Sequence, residues 1–240
     1  MSRFIDKLRQ LSQTESQPMG FRREKFYSKP RLMLVVEIGT GVIELALEEA
    51  DAVILPDIKK DLPKKLDIPV GIRLSGDRIG ELPESVDFII FQPESPVLIS
   101  EGLKKGKVIA FEASVELDLL RSLNDLPLDA LLISKEWGRI QESINWRYLM
   151  ICSRLASLSN KPLLVAVSPE ISQYELQLLW DVGVDGVVVT DLTAGGAKKL
   201  RSLIDELIKP SESEGQEIRA ILPKLREEAI SIADMEDDED

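Results

Sequence analysis

The sequence contains no histidine. That absence removes imidazole as a general acid or base, together with Ser-His-Asp and Cys-His nucleophile arrangements and His-containing zinc sites. Cysteine is reduced to a single residue, Cys152, so no disulfide can form within the chain, and a reducing compartment suits it. No apolar run approaches the roughly 18 residues of a membrane span. The opening segment, Met1-Ser-Arg-Phe-Ile-Asp-Lys-Leu-Arg9, is too charged for the apolar core of a signal peptide. A cytoplasmic protein with no membrane partner is therefore expected. Positive charge is also short, with 30 Lys and Arg against 42 Asp and Glu and a net charge of −12. Such a balance disfavours nucleic acid as a partner. Part of it is local, because Glu236 to Asp240 are all acidic and read as a solvated tail.

What is present is the composition of a globular α/β protein. The 240 residues, 44% hydrophobic and 30% charged, are enough to bury a sizeable core. Eight short apolar runs stand out: Leu32–Ile38, Ala52–Leu55, Val70–Leu74, Phe88–Phe91, Val108–Ala113, Ala130–Ile133, Leu163–Val167 and Val187–Val189. They are rich in Val, Ile and Leu with little alternation, as parallel strands covered on both faces should be. Between them lie segments of helical spacing, among them Val115 to Leu123, Leu149 to Ala156, Leu176 to Trp180 and Leu200 to Leu207. Eight strands alternating with helices predict a single (β/α)8 TIM barrel over residues 31–210, its first four units having helices of only two or three turns. At about 180 residues the span is below the roughly 200 minimum for this fold, so a doubly wound open sheet is the alternative.

A finer regularity favours closure. Runs two, four, six and eight each follow an aspartate, Asp51, Asp87, Asp129 and Asp185, whereas the odd runs follow Pro30-Arg31, Pro69, Lys107 and Pro162. The interior layers of a closed eight-stranded barrel are each built from alternate strands, and a two-strand alternation is the trace this would leave. Outside the barrel, residues 1–30 hold a short amphipathic helix (Phe4, Ile5, Leu8, Leu11) and a polar segment. Residues 211–240 hold a linker, a second amphipathic helix and the acidic tail. These helical extensions would cover the barrel or allow a homo-oligomer.

Barrel enzymes place their chemistry at the C-terminal strand ends. Aligned on those ends, the odd strands close as Glu37-Ile-Gly39, Arg73-Leu-Ser75, Glu112-Ala-Ser114 and Ala166-Val-Ser168. With strand side chains alternating, an inward Glu37 predicts a layer of Glu37, Arg73 and Glu112 with Ala166 as the gap. The even strands, aligned on their aspartates, put Pro56, Gln92, Ser134 and Thr190 at one level, and Lys135 follows on the loop after strand six. This gathering reads either as a ligand site or as a self-satisfied Glu–Arg–Glu plug. As a site, Glu37 or Glu112 would do acid/base work, Arg73 would neutralise a small anionic metabolite, and Gln92, Ser134, Ser168 and Thr190 would bind it. Lys135 allows a Schiff base with a carbonyl compound. The loop 135–142, with a tryptophan and both charges, reads as a lid or an ordinary surface excursion. No residue set is assigned to a metal, and no cofactor is specified.

The segment Trp180-Asp-Val-Gly-Val-Asp-Gly-Val-Val-Val-Thr190 resembles the end of many phosphate-binding TIM-barrel enzymes, where a helix ends in glycine and the eighth strand follows. That resemblance, at fold level and over about 30 residues, implies an anion near the glycines that open the last helix, Gly195 and Gly196, where backbone N–H groups and the helix dipole favour negative charge. The expected function is a lyase- or isomerase-type enzyme acting on a phosphorylated or carboxylated compound at the barrel mouth. The alternative is a catalytically silent barrel serving as a binding or scaffold subunit through its terminal helices.

Overall fold

The computed structural model describes residues 2–12, 31–38, 49–55, 67–74, 82–112, 119–134, 143–190 and 195–207. Each of the eight apolar runs forms a strand: β1 (Met33–Glu37), β2 (Ala52–Leu55), β3 (Val70–Arg73), β4 (Phe88–Phe91), β5 (Gly106–Glu112), β6 (Ala130–Ser134), β7 (Leu163–Val167) and β8 (Gly186–Thr190). All are parallel and pair in chain order, with β8 returning to β1 in a closed barrel. Followed once around from Val35, the pairings return to β1 eight residues away. Eight strands with a shear of eight define the (β/α)8 barrel, and the open sheet is excluded.

Four α-helices lie among the described residues: α1 (Arg3–Ser12), α2 (Trp146–Leu158), α3 (Gln173–Asp181) and α4 (Gly196–Asp205). Their starts follow from local chemistry. The Tyr148 N–H donates to Asn145 at the head of α2, and Ser172-Gln-Tyr-Glu175 forms a capping box on α3. Glu175 also accepts the Ile144 N–H at 3.0 Å, tying that cap to the segment before α2. The crossover from β4 to β5 is shorter than the helix expected there. It contains one 3-10 turn, Val97–Ser100, which leaves Val97 and Leu98 exposed. This economy fits a closed barrel into so few residues. The C-terminal amphipathic segment and acidic tail lie outside the described residues.

The strands bury both faces. Leu34, Val36, Val53, Val165 and Val187 belong to the layer beneath the helices, and Met33, Val35, Ile54, Phe88, Ile90 and Val188 fill the barrel interior. Helix α1 belongs to the interior set. Its apolar face, Phe4, Ile5, Leu8 and Leu11, is buried among those inward residues, and the Phe4 ring stacks on Phe88 with centroids 3.8 Å apart. Any side chain at Gly71 would overlap the Phe88 ring, so glycine is what admits it. The amphipathic N-terminal helix is therefore a stopper in the N-terminal end of the barrel.

The alternating aspartates do one job four times. The N–H groups of Asp51, Asp87, Asp129 and Asp185 donate to the carbonyls of Leu34, Val70, Lys107 and Leu163 at 2.7–2.9 Å. Their carboxylates accept the N–H of those same residues at 3.0, 3.0, 2.9 and 2.7 Å. Each even strand thus clamps the start of the odd strand before it, satisfying an amide at a buried edge. Asp51 is the most enclosed, its side chain only 3% exposed beside Arg201 at 2.7 Å, Arg31 at 3.1 Å and Lys7 at 3.2 Å. Arg201 comes from α4 and also donates to the Glu49 carbonyl.

Burial alone would raise the Asp51 pKa. The hydrogen bonds from Arg201 and the Leu34 N–H, with the charges of Arg201 and Arg31, outweigh it and hold the carboxyl below its ordinary value. A carboxyl depressed in the folded state stabilises fully above its unfolded pKa of about 3.9, and that contribution is lost as pH falls through the folded value. Asp51→Asn should therefore cost about 3–5 kcal/mol near neutral pH, because three cations lose their partner. Its denaturant midpoint should also fall less steeply than the wild type's below about pH 4. Urea unfolding across that pH window measures both, and equal slopes would count against the assignment.

Candidate functional site at the barrel mouth

Strand alternation carries the inward series upward from the packed interior. Above Met33 and Val35 comes Glu37, above Gly71 comes Arg73, and above Val108 come Ala110 and then Glu112. On β7, Leu164 is followed by Ala166 and Ser168. On the even strands, Ile90, Leu132 and Val188 are followed by Gln92, Ser134 and Thr190. With the observed register and a shear of eight, Glu37, Arg73, Ala110 and Ala166 share one level. Below it the interior is apolar, closed by Ile54, Ile90, Leu132 and Val188. Just above it stand Gln92, Ser134 and Thr190.

The Glu37–Arg73 pairing is present. Arg73 Nε donates to Glu37 Oε1 at 2.7 Å and Nη2 to Oε2 at 2.8 Å, a bidentate fork. The two side chains are 12% and 14% exposed. Arg73 reaches across β2 to make this contact, over the inward Ile54. The carboxylate that the opening strand carries into the barrel is thus desolvated beside its own cation, which removes most of the cost of burying it.

Glu112 does not share that level. It stands one step higher and is exposed. The slip has a geometric cause: β5 has seven residues where β1 and β7 have five, so aligning strand ends moves it by two positions. Ala110 takes the place instead. The consequence is a layer of unequal side chains, with the charged pair on the β1–β3 side and two alanines on β5 and β7. Ala166, though inward, is only partly buried, so solvent reaches this level. Behind it, the buried Tyr148 donates its hydroxyl to the Ala166 carbonyl at 3.3 Å. Burial raises the pKa of that phenol far above its ordinary value, so it remains a neutral donor.

The rim is polar. Thr190 is in register with Glu37. The Ser134 hydroxyl donates to the Phe111 carbonyl at 3.3 Å. The Ser168 hydroxyl accepts the Glu170 N–H at 3.3 Å, so it also shapes the turn into α3. Gln92 is exposed, its backbone N–H held by Ser95. Gly195 opens α4 with φ of 85°, left-handed backbone that suits glycine, and Gly196 is the helix's first residue. Lys135 and the loop 135–142 lie outside the described residues. Among the described residues no group of three or more acidic or cysteine side chains is arranged to hold a metal, and no helix is long and apolar enough to cross a membrane.

No protein-family model and no curated protein sequence matches the chain. Solved structures do. The tryptophan synthase α-subunit of Pyrococcus furiosus, in a mutant form, superposes with a TM-score of 0.52 at 14% identity, over 74% of this chain and 97% of that one. The 3-hexulose-6-phosphate synthase of Salmonella typhimurium gives 0.54 at 13% identity, over 72% and 98%. N-(5'-phosphoribosyl)anthranilate isomerase of Pyrococcus furiosus gives 0.50 at 15%, over 73% and 100%. Similarity at this level establishes the TIM-barrel fold and leaves the chemistry to the site.

Removing one member of the enclosed pair should be costly, and removing both should not be. Arg73→Met is expected to lower stability by about 3 kcal/mol, and Glu37→Leu/Arg73→Met to recover most of that loss. Chemical denaturation of both variants checks this. A double variant no more stable than the single one would show that the pair is favourable in itself.

Proposed function

We propose that the chain is a small-metabolite enzyme of lyase or isomerase type, binding a phosphorylated or carboxylated compound at the C-terminal mouth. The observation that carries this reading is the level of Glu37, Arg73, Ala110 and Ala166, which sets a charged pair beside two small side chains. Here an apolar floor gives way to hydrogen-bonding groups, and Ala166 is only partly buried. The neighbours named for a hexulose phosphate and a phosphoribosyl compound share this barrel. They support a phosphorylated substrate by analogy of fold alone.

In this reading Glu37 and Glu112 are the acid/base candidates, at different depths. Glu37, clamped by Arg73, is fixed in orientation and able to work on a group seated over the alanines. Glu112, higher and more exposed, would meet the outer part of the ligand. Arg73 forks onto both oxygens of Glu37, so its role is to hold that carboxylate in place. An anionic group would take Thr190, Ser134 and the N–H groups at Gly195 and Gly196. The Schiff-base variant through Lys135 rests on the sequence, and borohydride trapping with carbonyl compounds tests it separately.

The competing reading is a plug, and the bidentate fork favours it, since both Glu37 oxygens are satisfied within the protein. Glu37→Gln separates the two. As a site residue, the amide should leave the chain folded, though at a lower thermal midpoint because Arg73 loses its counter-charge, and abolish the stabilisation that a phosphorylated metabolite confers. Thermal-shift screening of wild type and variant against phosphorylated and carboxylated metabolites reads this out. If no compound stabilises the wild type, or one stabilises both proteins equally, Glu37 belongs to a plug.

A further inference from the structure

At the opposite end of the barrel lies a second opening that the mouth does not explain. It is a cleft of about 490 Å³ between α1 and the starts of β5, β6 and β7. Five cations line it: Arg9 from α1, Lys104, Lys105 and Lys107 at the start of β5, and Lys161 before β7. Among the described residues the one acid in the wall is Asp129, whose carboxylate already accepts the Lys107 N–H at 2.9 Å. In a chain with net charge −12 this concentration of positive charge is against the trend.

Two of the lysines are held in a way that fixes their charge without cancelling it. Lys161 Nζ donates to the carbonyls of Leu126 and Leu128 at 2.9 and 2.7 Å, and Lys105 Nζ to the Glu84 carbonyl at 3.0 Å. Neutral acceptors orient an ammonium but leave its charge intact. Among the described residues, no lysine of the cleft is within ion-pair distance of a carboxylate, whereas Arg3, Lys7, Arg31, Arg73 and Arg201 all are. Cations gathered at this density around a concave space repel one another unless an anion joins them. The space is of small-ligand size, and several lysines, each a compact point charge, suit phosphate groups.

We propose that this cleft binds a small polyanion bearing more than one phosphate, at a site separate from the mouth. Because α1 forms one wall, the bound anion holds the stopper helix against the strands, and the folded chain gains stability from it.

The test is calorimetric titration of inorganic tripolyphosphate into the full chain at low salt, with thermal unfolding alongside. Lys104→Gln/Lys107→Gln removes two charges, one from an exposed and one from a partly buried side chain, and leaves the Lys107 N–H bond to Asp129 in place. Wild type is expected to bind and to gain thermal stability. The double variant should bind about tenfold more weakly and gain less. Glu37→Gln should bind tripolyphosphate as wild type does, whatever its effect at the mouth. Absence of binding by wild type, undiminished binding by the lysine variant, or a loss caused by Glu37→Gln would each overturn the proposal.

Discussion

The barrel depends on one interaction made four times, the aspartate that begins an even strand closing onto the residue that begins the odd strand before it. Each aspartate gives its N–H to that residue's carbonyl and takes the same residue's N–H on its carboxylate. A slip of one position would break both bonds at a junction and turn every inward side chain outward. Four such clamps set the heights of all eight strands from below. The mouth inherits its geometry from them: Glu37, Arg73, Ala110 and Ala166 each stand three residues beyond a clamped amide, and Gln92, Ser134 and Thr190 each five beyond an aspartate.

This dependence explains what could be read from the amino-acid order. The aspartate alternation was visible, and counting upward from it places Gln92, Ser134 and Thr190 on one level. The odd strands carry no such marker of their own. Their ends mislead, because β5 runs five residues past its clamped amide where β1 and β3 run three. Counted from Leu34, Val70, Lys107 and Leu163, the residues that the aspartates clamp, the same sequence returns Ala110 in place of Glu112. The Glu37–Arg73 pairing was legible because parity and opposite charge both required it. The importance of Ala110 and Ala166 was only half legible, since an alanine in an apolar run carries no signal until its level is known. The seat of α1 was hidden for a different reason: amphipathicity says that a helix has a buried face and nothing about what lies against it.

The two ends of the barrel solve opposite problems. At the bottom, ring stacking, a glycine that yields to a phenyl group and a carboxylate among three cations leave little room for adjustment. At the top, one arginine holds one glutamate on a level shared with two alanines. Loss of a side chain at the bottom is felt by the whole fold, whereas the rim residues of the top, exposed or half-buried, stand at or just beyond the strand ends. Chemistry can vary at the rim without disturbing what holds the strands in register.

Helix α1 has one more consequence, for the order in which the chain can become itself. It is made first, yet its seat is assembled from Asp51 before β2, Asp87 and Phe88 at β4 and the backbone near Gly106 at β5. Of the inward residues that it joins, only Met33 and Val35 of β1 come from the first fifty among the described residues. A nascent chain therefore carries its stopper unseated through the synthesis of half the barrel, its apolar face exposed to water or to a chaperone. When Arg201 of α4 reaches Asp51, the same carboxylate joins α1 to α4. Helix α1 gains its full set of contacts only when α4 is in place.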